Sequence, residues 1–80
     1  MRNKDLVLNN MKLAYSTAWK MRDTGIEMDD LQSLALLGLV KAAKAFDEER
    51  GYKFPTLAIT VMRNEILQEV RRQRKQRNQV

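Results

Sequence analysis

The chain has 80 residues, no cysteine, no histidine, and a net charge of +5 from 15 Lys/Arg and 10 Asp/Glu. That length makes one small domain with a thin core, and the composition rules out disulfides and thiolate metal sites. It also lacks the commonest general base and metal ligand, which speaks against an enzyme and calls for no cofactor or metal.

The opening Met-Arg-Asn-Lys-Asp reads as no signal peptide. No apolar run approaches the roughly 20 residues that cross a bilayer. These features predict a soluble, cytoplasmic protein with no membrane partner. Apolar spacing is helical between two breaks, Thr24-Gly25 and Arg50 to Pro55, and predicts an all-α, compact three-helix bundle with helices at about 4–23, 29–46 and 55–75. The whole chain, 1–80, is one domain with a body at about 4–75 and a basic flexible tail at 76–80.

In the first helix Val7, Met11, Ala14, Ala18 and Met21 form one stripe, with Leu6, Leu13 and Tyr15 beside it and Trp19 packing over the bundle end. In the second, Asp29 and Asp30 suit the positive N-terminal end. At about 100° per residue, Leu31, Leu34, Ala35, Gly38, Leu39, Ala42 and Phe46 form a broad inward arc, and Gly38 admits a neighbouring backbone. Leu36, Leu37 and Val40 fall on the other side, near Asp29, Asp30 and Ser33. Leu36 and Val40 also fit a core that touches two neighbours, whereas a protruding Leu37 beside carboxylates suits contact with a basic helix.

Pro55 fits the first turn of the third helix, where its missing N–H costs nothing. There Ala58, Ile59, Met62, Ile66 and Val70 make the buried stripe. Thr56, Thr60, Arg63, Asn64, Leu67, Arg71, Arg74 and Lys75 share the opposite face, a set able to bond base edges and phosphates. Residues 63–80 carry six cations against Glu65 and Glu69, so most of the positive charge sits there and favours a polyanion partner over a merely solvated tail. Just before this helix, Tyr52, Lys53 and Phe54 stand on a loop, either as core or as contact surface.

From about Asp5 to Lys75 the sequence resembles region 2 of the sigma-70 family of bacterial transcription initiation factors. The pieces that carry the resemblance are Asp30-Leu31, Gly38-Leu39, Lys41-Ala42, Phe46-Asp47, Arg50-Gly51 and Phe54-Pro55-Thr56-Leu57-Ala58, all at the family's spacing. Ser33-Leu34 and Asn64-Glu65-Ile66-Leu67 resemble the mother-cell sporulation type.

The resemblance implies two partners. Asp29, Asp30, Ser33, Leu36, Leu37 and Val40 would bind the clamp helices of the largest subunit of core RNA polymerase. Promoter DNA at the −10 element would meet the loop and third helix. Tyr52, Lys53, Phe54 and Thr56 would lie by the melted strand, Arg63 and Asn64 by the duplex edge, and Arg71, Arg74 and Lys75 near phosphates. A nucleoid-associated, cytoplasmic location follows. Where housekeeping members place a tyrosine and two tryptophans, this chain has Leu57, Thr60 and Val61, so the wedge that opens duplex is missing. Regions 3 and 4 are absent, which leaves either an excised fragment or a protein of region 2 alone; the initial Met and polar tail favour a complete small protein, which would work with a separate region 4-like partner. A regulator that occupies the clamp or a sigma partner without reading DNA is the competing reading.

Overall fold

The structure, a computed structural model, describes residues 3–77. Four α-helices follow one another: α1 (Asn3–Asn9), α2 (Met11–Lys20), α3 (Met28–Ala45) and α4 (Phe54–Arg77). Short 3₁₀ turns at Arg22–Thr24 and Glu48–Arg50 join α2 to α3 and α3 to α4. Each turn ends on a glycine at positive φ, Gly25 at 89° and Gly51 at 83°, a conformation costly for any side chain. Of the tail set at 76–80, Gln76 and Arg77 close α4 and the rest lies outside the described residues.

The single first helix expected over 4–23 is instead two, broken at Asn10. In a continuous helix the N–H of residue 10 would bond the carbonyl of residue 6. Here the Asn10 side-chain amide donates to that Leu6 carbonyl at 2.7 Å, and its backbone N–H turns to the Val7 oxygen at 3.1 Å. Asn10 takes φ −124°, ψ 16° as a result. Asparagine competes with its own backbone in this way, which is why it punctuates helices.

The core gathers Leu6, Ala14, Ala18, Ile26, Leu31, Ala35, Leu39, Ala42, Ala43, Phe54, Ala58, Met62 and Ile66. The inward arc of α3 is buried as read, with Leu34 and Phe46 at its half-buried edges. Alanines at 14, 18, 35, 42 and 58 have no exposed surface, so the helices approach closely. Where α3 meets α4, a Cβ added to Gly38 would stand 2.6 Å from the Met62 Cα. The Lys41 ammonium bonds the Glu65 carboxylate across the same pair of helices. Ile26, which the periodicity did not include, precedes the first residue of α3 and joins Leu31 in the buried cluster. This is the spacing of a hydrophobic staple.

Three placements differ from the sequence reading. Trp19 does not cap the bundle; it is 60% exposed, and the Arg22 guanidinium lies 4.5 Å from its ring centre. Tyr15 points outward as well. Ile59 is exposed beside a depression of about 200 Å³ that Leu13, Ser16, Thr17, Lys20 and Met21 share with Arg63. It sits one step round the helix from buried Ala58, at the margin of the stripe. Among the described residues no helix is long and apolar enough to cross a membrane.

Candidate polymerase and nucleic-acid interface

The first candidate face is the outer side of α3. Asp29 and Asp30 occupy its first turn, where the helix end favours negative charge. Both are exposed, as is Ser33, whose hydroxyl donates to the Asp29 carbonyl at 3.0 Å. Leu37 is 46% exposed despite lying in mid-helix. Leu36 is half-buried against the core and Val40 half-buried, so each keeps only an edge outside. The face is therefore an acidic turn followed by one protruding leucine between two partly sunken aliphatics. Beside it, Asp30, Ser33 and Leu34 line a shallow depression of about 310 Å³ with Glu69 and Arg72 of α4. The Arg72 guanidinium grips the Glu69 carboxylate through two nitrogens. That contact, helped by Gln73, holds Glu69 below the usual carboxylate range and raises Arg72 above its ordinary value.

The second candidate face is the outer side of α4 together with the preceding loop. Thr56, Thr60, Arg63, Asn64, Arg71, Arg74 and Lys75 are exposed and Leu67 is half-buried. The two carboxylates of this helix are already engaged, Glu65 by Lys41 and Glu69 by Arg72. Among the described residues Arg63, Arg71, Arg74 and Lys75 have no ion-pair partner. Their charge is open to an outside anion.

In the loop, Asp47 accepts the Glu49 N–H at 3.0 Å and starts the turn that brings the aromatics back to α3. Tyr52 meets the Phe46 ring edge-on at 6.1 Å, and Phe54 meets the same ring at 5.4 Å. Phe54 is only 5% exposed. It is core, which corrects its placement beside a strand: Phe46 offers it an aromatic partner and Pro55 fixes the chain as it enters α4. Lys53, between the two rings, is exposed, and Tyr52 is half-buried.

Tyr52 forms one wall of a mainly apolar depression of about 320 Å³, completed by Thr56, Leu57 and Thr60. The Thr60 hydroxyl donates to the Thr56 carbonyl at 3.0 Å, leaving its lone pairs as acceptors at the rim. Leu57 was not among the residues first assigned to the site. Its signal was its place one turn before Thr60 and Val61, where a larger side chain would have filled the hollow.

Comparison with known proteins gives a family. The model of Sigma-70 region 2 matches residues 6–76. RNA polymerase sigma factor SigA of Nostoc sp. is 40% identical over 70 residues, covering 86% of this chain and 18% of that protein. RNA polymerase sigma-E factor of Clostridium acetobutylicum is 36% identical over 70 residues, 88% of this chain and 30% of that protein. RNA polymerase sigma-28 factor of Bacillus thuringiensis subsp. kurstaki is 33% identical over 66 residues, 82% of this chain and 28% of that protein. The chain spans less than a third of the length of these curated relatives. With the family model running almost end to end, the chain belongs to the sigma-70 region 2 family.

Proposed function

We propose that the chain serves as a non-enzymatic transcription initiation factor, holding core RNA polymerase through the outer face of α3 and the promoter −10 element through the loop and outer face of α4. The observation that carries this reading is the separation of two exposed faces of unlike chemistry on helices packed against each other. One is acidic with a projecting Leu37; the other is cationic, with its own carboxylates neutralised from within. An acidic-aliphatic ridge suits the arginine-rich clamp helices that the family binds. Cations without internal partners suit phosphates, each contact releasing counterions.

In this reading Tyr52 supplies the stacking wall for one unstacked base, seated over Leu57 between Thr56 and Thr60, with Lys53 on the backbone. Arg63 and Asn64 meet the duplex edge, and Arg71, Arg74 and Lys75 meet phosphates. Leu57, Thr60 and Val61 leave no large aromatic to wedge duplex apart, so the factor captures opened strand better than it opens it. In the same reading, recognition further upstream falls to a region 4-like protein acting alongside. Ser33-Leu34 and Asn64 to Leu67 favour the mother-cell sporulation type within the family.

A salt titration tests the nucleic-acid half. The log of the affinity of the polymerase-bound chain for forked DNA should fall linearly with log salt, and alanine at Arg63, Arg71 and Arg74 together should flatten the slope by about two to three. An unchanged slope would favour a regulator that occupies the clamp without reading DNA.

A further inference from the structure

The outer flank of α2 carries an aromatic patch that neither proposed surface uses. Tyr15 and Trp19 stand one helical turn apart and are 43% and 60% exposed. In projection Trp19 lies between Tyr15 and Lys12, and Leu8, on α1, is exposed too. Trp19 is not loose. Arg22 lies 4.5 Å from its ring centre while an Nη1 of the same guanidinium donates to the Trp19 carbonyl at 2.9 Å. One chelating residue thus fixes a large exposed ring in place. Trp, Tyr and Arg are the residues that dominate protein–protein contacts, and an anchor already held in position loses less freedom on binding.

We infer that this flank docks an acidic amphipathic helix of a partner protein, its apolar stripe lying over Tyr15 and Trp19 and its carboxylates meeting Lys12 and Arg22. Charge selects the occupant. Lys12 and Arg22 have no carboxylate partner among the described residues. A second copy bound patch to patch would set these cations against themselves, in a chain already at +5.

Placement argues against nucleic acid. Leu13, Ser16, Thr17 and Lys20 of the same helix face Ile59 and Arg63 of α4. At 100° per residue, Tyr15 and Trp19 lie roughly 130° round the helix from that side. A strand on α4 does not reach them, and Arg22 already covers one face of the Trp19 ring.

Trp19 is the chain's one tryptophan, so its emission reads the patch directly. The probes are a synthetic helix with a leucine stripe flanked by glutamates, its lysine-flanked twin, and oligo-thymidylate. The glutamate peptide should shift Trp19 emission to the blue and bind about tenfold or more tighter than its twin. Trp19→Ala and Tyr15→Ala, followed by anisotropy of the labelled peptide, should each weaken it by about tenfold. Circular dichroism should show both variants as helical as wild type, because neither side chain is buried. Leu37→Asp and Asn64→Ala should leave peptide binding unchanged, which separates this surface from the proposed function. The inference falls if the glutamate peptide leaves emission unmoved, if the lysine twin binds equally, if oligo-thymidylate shifts emission at lower concentration, or if emission shifts with protein concentration alone.

Discussion

Gly38 and Met62 bring α3 and α4 close together: a Cβ built on the glycine would lie 2.6 Å from the Met62 Cα and 2.9 Å from its nitrogen. Both are backbone atoms and cannot swing aside, so Gly38→Ala must push the helices apart. Overpacking of this kind costs about 1–3 kcal/mol. In a domain this small each kcal/mol lowers Tm by roughly 4–8 °C. Thermal melts followed by circular dichroism should therefore show Gly38→Ala melting at least about 5 °C below wild type.

That crossing was readable in advance, because a glycine inside an otherwise apolar helical arc has few other uses. So was the arc of α3, whose three-and-four spacing survives unchanged in the core, and the start of α4 near Pro55. Three features turned on competition that residue spacing does not report. Asn10 spends its amide on the Leu6 carbonyl and breaks a helix whose apolar stripe runs straight through it. Trp19 is large and apolar, yet a helix neighbour three residues on holds it outside. Phe54 and Tyr52 are near-equal aromatics two residues apart that both meet Phe46, yet of the two only Phe54 is sealed in the core.

Phe46 joins the core to the candidate strand pocket. Edge-to-face pairs add about 0.5–1.5 kcal/mol each beyond area burial, and Phe46 makes two. Phe46→Leu should lower Tm by several degrees and also weaken binding to single-stranded −10 DNA, since Tyr52 loses its backing ring. Retention on core polymerase should be unaffected at temperatures where the variant is folded, which a pull-down at 10–15 °C below its Tm checks.

Tyr52→Ala removes one wall of that pocket without opening the core, because Phe54 and Phe46 remain paired. Loss of one stacked base is worth about 1–3 kcal/mol, or about 5- to 150-fold in Kd. Fluorescence anisotropy on forked DNA should show a loss in that range, with the DNA salt slope unchanged because no phosphate contact is removed.

The Glu69–Arg72 pair gives a pH signature. Glu69 titrates below its ordinary value in the folded chain, chiefly through the hydrogen bonds from Arg72. Its stabilising contribution is therefore full above the unfolded carboxylate pKa and is lost as pH falls through the lowered folded value. Glu69→Gln should melt below wild type at neutral pH, and the gap should close on acidification. The guanidinium is exposed and the carboxylate half-buried, so added salt should shrink the gap in part as well.

Co-elution with bacterial core RNA polymerase on a sizing column tests the two-sided account most directly. Wild type and Asn64→Ala should travel with the enzyme, while Leu37→Asp, equally helical by circular dichroism, should elute alone. Wild-type chain that elutes apart from polymerase, or Leu37→Asp that stays with it, would contradict the account.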